Sequence, residues 1–419
     1  METIKLINFI IGMIFFVCYS YQFFYILVPF VKKEKPHKKT ELHRYAVLIS
    51  ARNEELVIGN LLDSIRAQDY PSRLVRIFVV ADNCTDKTAQ IARAHGAAVY
   101  ERFNTEQVGK GYALEFLIDK ILEEYGDVFD AYMVFDADNL LSEDYISRMN
   151  ETFSDGYGIV TSYRNSKNYG DNWISAGYAL WFLREAKYLN NARYLLGTSC
   201  AVSGTGFMFS REVMHRCGGW PFHLLVEDIE FTVHNVVNGE KVGYCAKAVL
   251  YDEQPTTFAQ SWRQRMRWAR GYVQILGRYG GRLVKGIFKK RSFSCFDMTM
   301  NIAPAVVLSL LGLLINVGAG IYSVFNGGGT DMLLLSFGQL VLNTYLMMFV
   351  VGAITTATEW KNIYCSAPKK VLYAFTFPLF MLTYLPICIA AMLRPVKWEP
   401  IVHDRVRTLS EVRSGCTAA

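Results

Sequence analysis

Nine cysteines are scattered through the 419 residues without a metal-ligand spacing or a disulfide framework. That excludes a zinc module and a stapled secreted domain. Several, such as Cys18 and Cys388, lie in apolar runs, where a free thiol packs as a small hydrophobe. The set reads as reduced thiols facing a cytosol. Net charge is also scarce. The 44 Lys and Arg against 38 Asp and Glu leave only +6, so charge gives no case for a nucleic-acid partner. The long apolar segments hold almost no charge with which to line a transport path. What is present is 52% hydrophobic residues beside that charged content. This is the mixture of a water-facing domain joined to membrane segments.

A helix needs about 20 apolar residues to cross roughly 30 Å of hydrocarbon. Four stretches qualify: Leu6 to Val31, Ile302 to Phe325, Met332 to Ala357 and Val371 to Leu393. The first is too long for a signal peptide and lacks a small-residue cleavage site. "KKEKPHKK" follows it, whereas only Lys5 precedes it. The positive-inside rule then puts the N-terminus outside and residues 32 to 295 in the cytosol. The expectation is a multi-pass protein of the cell membrane with a cytosolic domain. Three full crossings in the last third would leave "RPVKWEPIVHDRVR" outside, although it looks cytosolic. Pro378 and Pro386 interrupt the last span, and a broken or re-entrant segment would return the tail to the cytosol. Both readings stay open. Trp398 and His403 in that tail read as a membrane-interface anchor, ahead of a place beside a site.

From residue 45 the pattern changes. "YAVLIS", "RIFVVADN" and "AYMVFDADN" are short apolar runs closed by polar residues, as buried strands are. "ELVIGNLLDSIRAQ" has helical spacing, with Leu56, Leu61, Leu62 and Ile65 on one side. "TDKTAQIARAHG" is a helix with a glycine stop. Strand alternating with helix predicts an α/β domain with a mostly parallel, Rossmann-like sheet. Ligands bind such sheets beyond the carboxyl ends of the strands. Those ends carry Arg52 and Glu54, Asp82, and Asp136 with Asp138, so topology directs them to one crevice. The expected layout is a transmembrane helix at 1–31, a basic linker at 32–44 and the α/β domain at 45–257. Amphipathic interface helices at 258–295, a transmembrane region at 296–393 and a tail at 394–419 complete it.

Asp136 and Asp138 lie two apart, and on an extended chain both side chains share a side. Such hard oxygen ligands suit Mg²⁺ or Mn²⁺, which bind one or two carboxylates plus substrate phosphates. Asp82 is either a turn aspartate, since "DNCTD" is good turn chemistry, or a nucleotide contact. Lys110 in "VGKGYAL" is a loop lysine unless a phosphate lies nearby. Asp228 in "VEDIEF", beside Glu227, is either a helix cap or a general base. The glycines of "SGTGFMFSREVMHRCGGW" point to backbone lining a substrate path rather than a regular element. Around "QSWRQRMRWARG" the helical period gathers Phe258, Trp262, Met266, Ala269, Val273 and Leu276 into an apolar stripe, fit for a membrane surface. Gln264, Arg267 and Trp268 face the other way. The fork of Arg267 suits a phosphate, and Arg265, at the edge of the stripe, is expected to tolerate substitution.

Asp82, "DAD" at 136–138, "ED" at 227–228 and "QRMRW" at 264–268 occur in an order that resembles the membrane-embedded, processive family-2 glycosyltransferases. That branch includes the cellulose, hyaluronan, chitin and poly-N-acetylglucosamine synthases. The resemblance covers roughly residues 45 to 275 plus the membrane layout. It implies a GT-A fold, a UDP-sugar donor and inverting, metal-dependent transfer to a growing β-linked polysaccharide at the cytosolic face, with export a further option. Asp82 would contact the uridine moiety, with Arg52 and Glu54 near it. Asp136 and Lys110 would hold the nucleotide, and Asp138 the metal. Asp228 would be the base beside Glu227, and Gln264, Arg267 and Trp268 would bind the pyrophosphate and the acceptor end. The expected departures from the family are a missing match to the cellulose synthase gating segment and no regulatory domain after the last span. Two alternatives remain: transfer of a single sugar to a lipid-linked acceptor, and a catalytically dead UDP-sugar sensor. The intact acidic set counts against the sensor.

Overall fold

Residues Tyr45–Ala51 are buried throughout except at the half-buried Ser50, as in a strand covered on both faces. They form β1 of an eight-stranded sheet in a computed structural model that describes residues 2–325 and 331–415. The other strands are β2 (Val75–Asp82), β3 (Ala98–Arg102), β4 (Ala131–Asp136), β5 (Leu140–Leu141), β6 (Ile159–Ser166), β7 (Phe207–Ser210) and β8 (Val242–Asp252). The order is β3-β2-β1-β4-β7-β6-β8-β5. The first four are parallel, as the alternating pattern predicts. β7 then pairs antiparallel with both β4 and β6, which makes the whole sheet mixed.

Register fixes the site. Ala51 of β1 is opposite Ala81 of β2, and Ser50 is opposite Asp136 of β4. The ends of β1, β2 and β4 therefore reach one level, and the chain turns there. Asn53 and Asn83, just past β1 and β2, take left-handed φ values of 57° and 52°. Asparagine tolerates this conformation better than most residues. Two sequence expectations fail locally. Leu56 is 56% exposed, because the helix starts only at Ile58 and buries Ile58, Leu61, Leu62 and Ile65. "FMFS" and "REVMHRC" are a regular strand and helix. The stretches on either side of them are irregular: Ser203–Gly206, whose Ser203 and Gly204 line the cavity described below, and Gly218–Trp220. Gly206 has a φ of +65°, and a Cβ there would lie 1.8 Å from Leu250.

Among the described residues three helices are long and apolar enough to cross a membrane: Phe9–Val31, Val341–Thr358 and Ala367–Leu393. The stretch expected to span from Ile302 coincides with the helix Pro304–Phe325. The side chains of 304–310 and 326–337 lie outside the described residues, as do the last four of the expected tail, 416–419. The final apolar segment is broken into helices Ala367–Leu382 and Tyr384–Leu393. Pro386 has no N–H to offer the carbonyl of Leu382. At its start Lys369 Nζ donates to Gly170 O at 2.7 Å. After its end the tail lies back on the sheet domain, where Arg407 donates to Lys167 O at 2.7 Å. The tail therefore lies with the sheet domain rather than apart from it.

The N-terminal helix Glu2–Val31 packs Tyr25 and Val28 on Leu189 and Ala192, and a buried polar cluster ties it further. Arg193 and Asp297 are fully buried and paired, Nε to Oδ2 at 2.7 Å and Nη2 to Oδ1 at 2.9 Å. Tyr21 and Tyr25 of the N-terminal helix donate their hydroxyls to the same carboxylate at 2.8 and 2.9 Å.

Candidate active site

One cavity of about 1970 Å³ begins at the strand ends and runs down to the level of the apolar helices. Arg52, Glu54, Asp82, Lys110, Asp136, Asp138, Glu227, Asp228, Gln264, Arg267 and Trp268 all line it. The residues singled out in the sequence thus share one wall-to-wall site.

Their partners sharpen several roles. Asp82 is not a simple turn residue. Its Oδ1 accepts Arg102 Nη1 at 2.6 Å, both groups are buried, and the two are register partners across β2 and β3. Lys110 opens the helix Lys110–Tyr125, forms an ion pair with Asp136 and donates to Gly204 O at 2.8 Å. Asp138 is buried, and its Oδ2 accepts the N–H of Glu253 at 2.6 Å. Burial opposes its charge, but His403, Lys167, Arg164 and that N–H hold its pKa below the usual carboxylate range. Asp138 is therefore an ionised oxygen donor facing the cavity, whereas Asp136 is already matched by Lys110. Among the described residues no three His, Cys, Asp or Glu side chains cluster as a closed metal cage. A site completed by phosphate oxygens needs no such cage.

Asp228 is the second residue of the helix Glu227–Val237 and does not cap it. Its Oδ2 accepts the N–H of Gly204 at 2.6 Å. Burial raises its pKa, against the pull of that N–H, Lys110 and Arg267. Burial and the charge of Asp228 push Glu227 up to about 7. An elevated carboxylate at a cavity wall is the state a general base needs near neutral pH.

Gln264, Arg267 and Trp268 lie on one helix, Phe258–Lys290. Arg267 Nη1 donates to Leu225 O at 3.0 Å. Trp268 packs edge-on to Tyr178 and Phe182, with ring centroids at 5.7 and 6.2 Å. The expected apolar stripe is, for the most part, not the face that packs on protein. Phe258 and Val273 are 41% and 39% exposed. The buried seam is instead Ser261, Arg265, Ala269, Ile275, Tyr279 and Leu283. Neighbouring protein sets that seam: Ile275, Tyr279 and Leu283 pack with Val233 and Val237, and Ala269 packs on Cys388 and Ala391. Arg265 is fully buried, so the expected tolerance fails. Its Nη1 donates to Phe380 O at 3.1 Å and to Thr383 Oγ1 at 2.7 Å. Its guanidinium stands 4.3 Å from the Phe380 ring centroid. Arg265 therefore ties the interface helix to the break in the last apolar segment. Arg265→Ala should destabilise the protein by about 2–3 kcal/mol, the worth of charge-assisted hydrogen bonds, read as a lower unfolding midpoint in detergent.

Sequence reasoning missed Arg102, Arg164, Asp252 and Glu253. Arg164, partly buried, forms an ion pair with the buried Asp252, at the ends of β6 and β8. Burial pushes Asp252 up to about 6 despite that partner. The only signal was an acid ending an apolar strand, as in "LYDE". The tail is a further correction. His403 Nδ1 meets Glu54 Oε1 at 2.9 Å and Trp398 lies over Arg52, so neither anchors at the membrane interface.

A family profile described as glycosyltransferase like family 2 matches residues 43–271. The chain is 27% identical over 234 residues to the beta-monoglucosyldiacylglycerol synthase of Synechocystis sp., covering 54% of this chain and 47% of that one. It is 24% identical over 259 residues to the poly-beta-1,6-N-acetyl-D-glucosamine synthase of Staphylococcus epidermidis, covering 59% and 61%. The matches thus span about half to three-fifths of these relatives' lengths. Among solved structures, the mannosyltransferase PcManGT from Pyrobaculum calidifontis, in complex with GDP-Man and Mn²⁺, aligns with a TM-score of 0.58. It is 17% identical, and the alignment covers 93% of this chain and 99% of that one. That likeness extends the shared fold through the membrane-level helices.

Proposed function

The chain belongs to the glycosyltransferase-like family 2, and on that premise we propose that it moves a sugar from a UDP-sugar to the hydroxyl of a lipid-held acceptor. The observation that carries this reading is the continuity of the cavity. One end is lined by Asp136, Asp138 and Asp228, and the other by Ile11, Phe15, Phe16, Met347, Met348 and Val351. An apolar, membrane-level approach to a carboxylate base suits a hydroxyl headgroup carried on a hydrocarbon chain. The domain works from the cytosolic face, following the basic residues after the first span.

In this reading Asp228 takes the proton from the acceptor hydroxyl, which attacks the anomeric carbon as the nucleotide leaves from the opposite side. The configuration inverts, so an α-linked donor gives a β-linked product. The N–H of Gly204 fixes the carboxylate of Asp228. Lys110 and Arg267 are preorganised cations beside the charge that grows on the leaving diphosphate. Asp138 would hold Mg²⁺ or Mn²⁺, which supplies further neutralisation of that charge. Trp268 and Gln264 flank the acceptor.

A second reading, elongation of a β-linked polysaccharide, draws on the aromatic faces of Trp181, Phe182 and Trp268 in the same cavity. Export and accessory subunits belong to that reading alone. The test is purified protein in nanodiscs with labelled UDP-glucose, UDP-GlcNAc or GDP-mannose, total lipid, and Mg²⁺ or Mn²⁺. Label entering the organic phase as single additions is expected. A ladder of lengthening products would move the assignment to the polymer. Nucleotide binding without release of UDP or GDP would leave a sensor.

A further inference from the structure

Residues 394–406 carry no helix or strand, yet they cross the acid-lined cleft. Trp398, Glu399, Pro400, Ile401 and His403 line the cavity together with the strand ends. We propose that this tail is the closing wall of the nucleotide pocket, with Trp398 and His403 binding the nucleoside diphosphate of the donor. The proposal rests on the nucleotide-sugar reading above.

Three observations carry it. The first is the indole. Its ring centroid lies 5.4 Å from the Arg52 guanidinium. A Cβ added to Gly109, next to Lys110, would lie 3.7 Å from the same indole. Trp398 therefore spans the gap between the end of β1 and the lysine paired with Asp136. Arg52 Nη1 is buried there without a hydrogen-bond partner. A buried donor without an acceptor costs free energy until a ligand oxygen meets it. An aromatic plane beside it is the usual platform for a base.

The second is a chain of hydrogen bonds from the tail to the metal-binding carboxylate. The N–H groups of Asp404 and Arg405 donate to Glu253 Oε1 and Oε2 at 3.0 and 3.1 Å. The N–H of Glu253 donates in turn to Asp138 Oδ2. On the same stretch, His403 Nδ1 bridges both oxygens of Glu54, at 2.9 and 3.1 Å. The tail thus fixes two carboxylates at the diphosphate end of the pocket.

The third is how the tail is fastened. Beyond the cleft, Arg407 binds Asp171 at 3.0 Å and Arg413 grips both oxygens of Glu143 at 2.9 Å. Val412 is buried with Leu140 and Tyr251. The far end is clamped by these two arginines and the buried Val412, whereas Trp398–His403 is held by Gln260 Nε2 donating to Val402 O at 3.0 Å, a 3.6 Å Arg263–Glu399 pair and the His403–Glu54 contact. A stretch without backbone ladders opens locally at low cost. Lifting it admits the donor, and laying it down covers the base.

The test is equilibrium titration of the full-length protein with UDP and, separately, GDP, each with Mn²⁺. It compares wild type, Trp398→Ala, His403→Asn and a chain cut after Arg394. Loss of one stacking plane should raise Kd about tenfold, and the cut chain should lose at least as much. Bound nucleotide should also slow tryptic cleavage at Lys397 and Arg405. If wild type binds a nucleotide and both point variants bind it within about twofold of wild type, the tail proposal fails while the donor reading stands. If wild type binds neither nucleotide, the donor reading itself fails. Should the cut chain not fold, the two point variants decide alone.

Discussion

Asp228→Asn should leave nucleotide binding intact and lower transfer by about 10²–10⁴-fold, the usual worth of a general base. The amide keeps the shape of the side chain, and its oxygen can still accept the N–H of Gly204, which now meets Asp228 Oδ2 at 2.6 Å. What it cannot do is take a proton. The pH profile carries the same signature. Burial raises the pKa of Asp228, and its neighbour Glu227 sits at about 7. A base works only when ionised. Transfer should therefore fall as pH drops through that raised pKa, at higher pH than an ordinary aspartate would give. A flat profile across the acid range, or full transfer by the asparagine variant, would remove Asp228 from this role.

The largest stability effect is expected at Asp297. Its carboxylate is fully buried and serves Arg193, Tyr21 and Tyr25 at once. Asp297→Ala would strand the Arg193 charge in the interior and leave both hydroxyls without their acceptor. Breaking one side of a buried pair costs about 3–5 kcal/mol. Thermal unfolding in detergent should show the drop, and the N-terminal helix should become more sensitive to protease. Removing both charges, as in Arg193→Met with Asp297→Leu, should recover the part of the loss that comes from the stranded charge, while the two tyrosine hydroxyls still lack their acceptor. If the single variant unfolds with wild type, the N-terminal helix is held by something other than this cluster.

Much of the site was legible because strand ends advertise themselves. An apolar run closed by an acid places that acid at the carboxyl edge of a parallel sheet, and Asp82, Asp136 and Asp138 lie there. The fold class followed from the same alternation. The partners were less legible, because they come from elements without a strong period. Arg102 ends the five-residue strand β3, whose sequence AVYER has too little apolar length to stand out. Arg164 and Asp252 meet only because β6 pairs with β8 across most of the chain's middle third. The helix around residue 265 misled for a different reason. Periodicity sorts residues by polarity, whereas burial is decided by what packs against the helix, and a fully buried arginine breaks the link. The tail misled because Trp and His are common at membrane interfaces, and only long-range contacts, His403 with Glu54 and Trp398 with Arg52, reveal their place.

The most direct test of inverting transfer is the anomeric configuration of the product. Wild-type protein in nanodiscs would be given an α-linked donor that it turns over, and the glycosylated acceptor read by NMR. A β-linked product, absent with Asp228→Asn, is the expected result. An α-linked product would contradict single displacement assisted by Asp228, whatever the acceptor proves to be.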